Sequence, residues 1–175
     1  LGFASELVAM GHTGFYLKSA SGRLNPDFVF HLVSALFRRF PDQDITVHAH
    51  STYGEAPACY MAAVSAATEA GKNITMDVQH PALAGSTAQP SMNKMVGLIK
   101  NFPDERIKSN TPQLDIDAIK ASMFSLYGLR FRYREFETSY NPNLVEAMYV
   151  ARTPGGASST LKSIPGLVKT LGRLL

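Results

Sequence analysis

The sequence predicts an α/β protein built on a parallel sheet, and three observations carry that prediction. Short β-branched or aromatic runs alternate with longer stretches of helical periodicity. No two-residue Asn-Gly or Asp-Gly signal of a hairpin separates any pair of the runs. The run Ile45-Thr46-Val47-His48-Ala49-His50 has the composition of a strand buried in a parallel sheet. Strand, helix, strand, helix, strand, helix is the signature of β/α units, in either a doubly wound sheet or a (β/α)8 barrel.

Taken in order, residues 3–10 place Phe3, Leu7 and Met10 at helical spacing, and Gly11 supplies a stop. Gly14 to Lys18 reads as the first strand. Asn25-Pro26 then opens a helix with a cap and a first-turn proline. Its apolar positions Val29, Leu32, Val33, Leu36 and Phe40 follow the 3.6-residue period, and Pro41 ends it. The second strand is 45–50, the alanine-rich helix 56–70 closes on Gly71, and Ile74 to Val78 is the third strand. A Gly/Ser/Thr/Pro-rich loop at 84–91 leads into a helix at 91–101, with Ser91 placed to cap it. From about residue 112 the pattern turns helical (114–135), then irregular, then helical again. Tyr127, Phe131, Tyr133, Phe136 and Tyr140 read as helix packing, and Cys59 as a small core residue.

Composition narrows the function classes. The chain has 175 residues, 45% hydrophobic and 18% charged, which excludes disordered and coiled-coil classes. A net charge of +3 is too weak for a dedicated nucleic-acid binder. One cysteine cannot form an internal disulfide, so a reducing, cytoplasmic setting is the expectation. No apolar run approaches the roughly 20 residues that span a bilayer. The chain opens on Leu1 in what reads as mid-helix, which suggests a piece of a longer protein.

In parallel α/β folds ligands meet the chain at the carboxyl ends of the strands. Lys18, the His48/His50 pair and the 79–91 loop lie there. Residues two apart on a strand share a face, so His48 and His50 can form half of a site for a metal such as zinc. Isolated H-x-H is a weak signal, since histidines also pack and hydrogen-bond structurally. A protonated lysine repels a metal, so Lys18 joins only if deprotonated or carbamylated by carbon dioxide.

These stretches resemble the carboxyltransferase domain of biotin-dependent carboxylases. That family runs a strand ending in I-K-D-M-A-G-L-L-K-P, a helix closed by F-P-D, and then H-T-H-D-T-x-G or H-C-H-S-T-T-G. Here Tyr16 to Pro26, Phe40-Pro41-Asp42 and His48-Ala49-His50-Ser51-Thr52-Tyr53-Gly54 stand in the same order. Leu83 to Ser91 is similar to M-S-G-x-T-S-Q-P-S, Tyr133 to Thr138 to Y-x-x-F-E-S, and Thr153-Pro154-Gly155-Gly156 to M-P-G-G.

The resemblance implies the C-terminal half of a (β/α)8 TIM barrel over residues 1–111, followed by a helical C-terminal appendage over 112–175 packed on the barrel. It implies a carbamylated Lys18 with His48 and His50 as ligands of a divalent metal (Zn, Mn or Co). Thr87 would be the threonine that carries a proton between biotin and the pyruvate methyl. Biotin would come from a carrier domain elsewhere, with pyruvate or oxaloacetate as substrate. The N-terminal half of the barrel or a homo-oligomer partner would cover the open edges. No segment matches the family's first strands, with their Asp ligand, Arg and Gln, and Ser19 replaces the Asp after the lysine. Two alternatives stand beside this reading: a catalytically inactive paralogue acting as scaffold, and an isopropylmalate-synthase-like condensing enzyme. The stripe Ile164, Leu167, Val168, Leu171, Leu174 and Leu175 suggests a last amphipathic helix that docks on its own protein.

Overall fold

The structure is a computed structural model, and it describes residues 1–136. The segments 137–138 and 153–156 of the family resemblance, Tyr140 and the stripe at 164–175 lie outside the described residues.

The order of elements is α1 (Gly2–Ala9), β1 (Gly14–Ser19), α2 (Pro26–Arg39), β2 (Asp44–Ala49), α3 (Ala56–Glu69) and β3 (Thr75–Met76). After these come α4 (Met92–Lys100), the short α5 (Glu105–Lys108) and α6 (Ile116–Arg132). The strands form one sheet in the order β1-β2-β3, parallel throughout, with Lys18 opposite His48 and Val47 opposite Met76. The described residues are thus a mixed α/β fold on three parallel strands.

Local chemistry explains the boundaries. Asn25 caps α2: its side-chain oxygen accepts the N–H groups of Asp27 (2.8 Å) and Phe28 (3.2 Å), and Pro26 follows in the first turn. Ser91 holds the cap position of α4, but its hydroxyl makes no cap hydrogen bond, contrary to expectation. Its backbone is instead held by an isolated parallel bridge to Gln79. The last long helix begins at Ile116, where the Asp115 carboxylate accepts the Ala118 N–H at 2.9 Å.

Strand alternation sorts the sheet into two faces. Phe15, Ile45, Val47 and Ala49 point to the side covered by α2 and α3 and pack with Val29, Val33, Leu36, Tyr60 and Ala63 as one core. Cys59 belongs to that core, 1% exposed, its thiol donating to the Leu24 carbonyl at 3.1 Å. Tyr16, Lys18, Thr46 and His48 point to the other face. The expectation for the α6 aromatics fails: Tyr127, Phe131 and Tyr133 are exposed, as is Phe124 at 88%. The reason is position, because no residue of α6 is buried. That helix meets the 81–83 turn through His80 to Ser122 (2.9 Å) and Arg130 to the Ala82 carbonyl (2.8 Å). No described helix is long and apolar enough to cross a membrane.

β3 is shorter than the predicted 74–78, and a side chain is the cause. The β2–β3 register runs as far as the Asp77 N–H on the Val47 carbonyl (3.0 Å). The next rung of a parallel ladder would join the Ala49 N–H to the Asp77 carbonyl. There the Tyr60 hydroxyl, from α3, accepts the Ala49 N–H (2.8 Å) and donates to the Asp77 carbonyl (2.8 Å). An inserted hydroxyl replaces one rung and opens the carboxyl ends of the two strands.

Candidate functional site

Three strand ends bring the polar residues together. β1 presents Tyr16 and Lys18, β2 presents His48 with His50 just beyond it, and Asp77 follows β3. The His48 and His50 rings face the same side, 5.3 Å between centroids and tilted by 60°. Lys18 is exposed on that face and is the direct register partner of His48.

Each imidazole is held by an oxygen. His48 Nδ1 lies 2.9 Å from the Asp77 carboxylate and 2.9 Å from the Tyr16 hydroxyl, and that hydroxyl also donates to Asp77. His50 Nδ1 contacts the Thr87 carbonyl. A carbonyl and an ionised carboxylate only accept, so both Nδ1 atoms carry a proton, and in the neutral ring each Nε2 carries the lone pair. At His48 Nε2 the Gln89 amide nitrogen approaches at 3.1 Å, while Gln89 Oε1 accepts from Gln79 at 2.8 Å. A chain of amides therefore runs from the base of the 79–91 loop to the imidazole.

Electrostatics agree with an ionised Asp77 as the acceptor. The Tyr16 hydroxyl, together with His48, holds the Asp77 carboxyl below its ordinary value. Reciprocally, the bond to Asp77, with burial and the negative charge, raises the Tyr16 phenol, so the proton stays on Tyr16. On the opposite side of the sheet burial pushes the Cys59 thiol up to about 11 and the Tyr60 phenol up to about 12.

The donor set bears on metal binding. Among the described residues no group of three or more His, Cys, Asp and Glu side chains is arranged to hold an ion. Two imidazoles with Nε2 lone pairs fit two positions of a tetrahedral or larger sphere, and a third donor has to be of another type. A lysine carbamate at Lys18 is such a donor. Thr87, half-buried, meets the cluster through its main-chain carbonyl.

Sequence reasoning placed Lys18, His48 and His50 at adjacent strand ends, the two histidines on one face, and missed Tyr16, Asp77, Gln79 and Gln89. Asp77 carried a usable signal, an acidic residue at the carboxyl end of a parallel strand. Tyr16 carried one too, two residues before Lys18 and therefore on its face.

No protein-family model matches the chain. Among curated proteins it is similar to the mitochondrial pyruvate carboxylase of Rattus norvegicus, 37% identical over 103 residues, which are 59% of this chain and 8% of that protein. It is 30% identical over 159 residues to the pyruvate carboxylase of Bacillus subtilis, covering 91% of this chain and 13% of that one. Among solved structures, the carboxyl transferase domain of Rhizobium etli pyruvate carboxylase with pyruvate aligns with a TM-score of 0.76 and 30% identity. The same domain with pyruvate and biocytin aligns with a TM-score of 0.76 and 28% identity. Each alignment covers 98% of this chain and 26% of the solved one. The chain spans only 8–13% of these curated relatives.

Proposed function

From a chain whose homologues are pyruvate carboxylases and whose structural neighbours are the carboxyl transferase domain of that enzyme, we propose that it forms part of a carboxyl transferase site. The reaction would move a carboxyl group between carboxybiotin, brought by a carrier domain, and pyruvate or oxaloacetate. One observation carries the reading. Lys18, His48 and His50 share one face at adjacent strand ends, and both imidazoles are held through Nδ1, with Nε2 as the ligating atom that a metal would compete for against the Gln89 amide at His48.

In this proposal His48 and His50 hold a divalent metal through Nε2, and Lys18 completes the set once its neutral amine has taken up carbon dioxide as a carbamate and released a proton. The metal, when bound, supplies Lewis acidity that polarises the keto-acid carbonyl and makes a methyl proton easier to remove. His50 is aimed by the Thr87 carbonyl. A proton-carrying role for the Thr87 hydroxyl predicts that Thr87→Ala abolishes transfer and Thr87→Ser retains it. A carbonyl-only role predicts that both variants retain it.

The proposed architecture is part of a barrel, 1–111, with 112–175 as an appendage. Its support is the parallel sheet together with an apolar cavity of about 590 Å3 beside β1. Phe3, Leu7, Leu17, Leu32 and Leu36 line that cavity, at the place where a preceding β/α unit would pack.

Metal analysis of the full chain, purified with bicarbonate and divalent salts, tests the reading. The expected result is close to one metal per chain, falling to background in Lys18→Ala and in His48→Ala/His50→Ala. Equal metal content in wild type and variants refutes it.

A further inference from the structure

We propose that Asp77 is a positioning residue for His48. Its carboxylate, steadied by the Tyr16 hydroxyl, fixes the imidazole as the Nδ1–H tautomer and turns Nε2 to the side now met by the Gln89 amide, where a divalent metal would replace that contact. This rests on the metal reading given above.

Geometry supports it at each step. The His48 Nδ1 to Asp77 Oδ2 distance is 2.9 Å, a full charge-assisted hydrogen bond. A carboxylate behind a ligating imidazole sets which nitrogen faces the metal, fixes the ring plane and raises the basicity of the ligand. Such a partner is effective only if it stays in place itself. The backbone of Asp77 is pinned on both sides, its N–H to the Val47 carbonyl and its carbonyl to the Tyr60 hydroxyl. The carboxylate is pinned by Tyr16, which reaches it from the far strand of the sheet. One residue is thus held by β1, β2 and α3 together.

Nor does the pair serve stability in an obvious way. The Asp77 side chain is 37% exposed and that of His48 15%, so the bond is open to solvent on the carboxylate side and its net contribution to stability is modest. Precise placement of a side chain with so small a share in the core is what a positioning role requires.

The test uses the full chain with 15N-labelled histidine. Long-range nitrogen–proton spectra of the metal-free protein read the tautomer of His48, and a cobalt(II) titration reads metal affinity. The wild type is expected to show one Nδ1–H tautomer. Asp77→Ala should give a mixture of tautomers and weaken cobalt binding by roughly 10–100-fold. Asp77→Asn keeps an oxygen acceptor and should retain the tautomer with a smaller loss, and Tyr16→Phe should fall between. None of the three variants removes a main-chain contact of residue 77, so the fold is expected to be preserved. An unchanged tautomer and unchanged affinity in Asp77→Ala overturn the proposal. A wild type that binds no cobalt, with the tautomer still dependent on Asp77, overturns the metal reading instead.

Discussion

Replacing Tyr60 with Phe tests how the sheet is opened at its carboxyl end. The substitution keeps the ring, which is 1% exposed and surrounded by core residues, and removes only the hydroxyl. Two main-chain groups then lose their partner: the Ala49 N–H and the Asp77 carbonyl, each bonded to that hydroxyl at 2.8 Å. A buried group left unpaired costs about 1–3 kcal/mol. Ala49 is 1% exposed and bears the full cost, whereas Asp77 is half-buried and its carbonyl can recruit water. The sum is about 2–4 kcal/mol, or a melting temperature lower by roughly 4–16 °C for a domain of this size. Urea denaturation followed by circular dichroism reads the free energy, with the slope expected to stay constant. Hydrogen exchange at the Ala49 amide should speed up in parallel. A loss below about 0.5 kcal/mol with continued protection of that amide means that the strands close and form the missing rung themselves. The hydroxyl would then be no wedge, and the reasoning fails.

Two further perturbations follow from the same packing. Gly22 has φ of +70°, and a Cβ there would stand 2.5 Å from the His50 carbonyl oxygen, so Gly22→Ala should combine about 1–2 kcal/mol of backbone strain with a main-chain clash. A thermal melt lowered by more than in a Gly97→Ala control, where a Cβ meets nothing within 4 Å, checks it, and equal melts refute it. The Cys59 thiol, raised to about 11, is neutral in the fold, so its share of stability is full below the ordinary value of 9.0 and is lost as pH climbs from 9 toward 11. Urea midpoints across that range should fall less steeply in Cys59→Ala, with Tyr60 accounting for the remaining slope; identical slopes refute the assignment.

Much of this architecture was legible because it follows from period and punctuation. The 3.6-residue spacing of Val29, Val33 and Leu36 and the Asn25-Pro26 start fixed α2 closely. Strand alternation correctly set His48 and His50 on one face. What escaped prediction depends on contacts between distant segments. Tyr16 and Asp77 are 61 residues apart, and nothing local to either names the other. Tyr60 lies in an alanine-rich helix where an aromatic residue suggests plain packing, yet its hydroxyl ends β3 early. The exposure of the α6 aromatics escaped as well, since an amphipathic pattern says which residues could be buried and not whether another element arrives to cover them.

The loop from Gln79 to Ser91 also has a consequence for the order of folding. Its two ends meet through Gln79 N–H to Pro90 carbonyl (2.9 Å) and Met92 N–H to Gln79 carbonyl (2.9 Å), and its tip turns back through Gly85 N–H to Gln89 carbonyl (2.9 Å). These closures span 13 residues or fewer, which costs little loop entropy. The loop can therefore acquire its shape early, as a local event. Linking Asp77 to His48 closes 29 residues and linking it to Tyr16 closes 61, so those bonds await the docking of whole β/α units. On loop-closure grounds the support takes its shape from local contacts, whereas the bonds that join Tyr16, His48 and Asp77 depend on long-range docking.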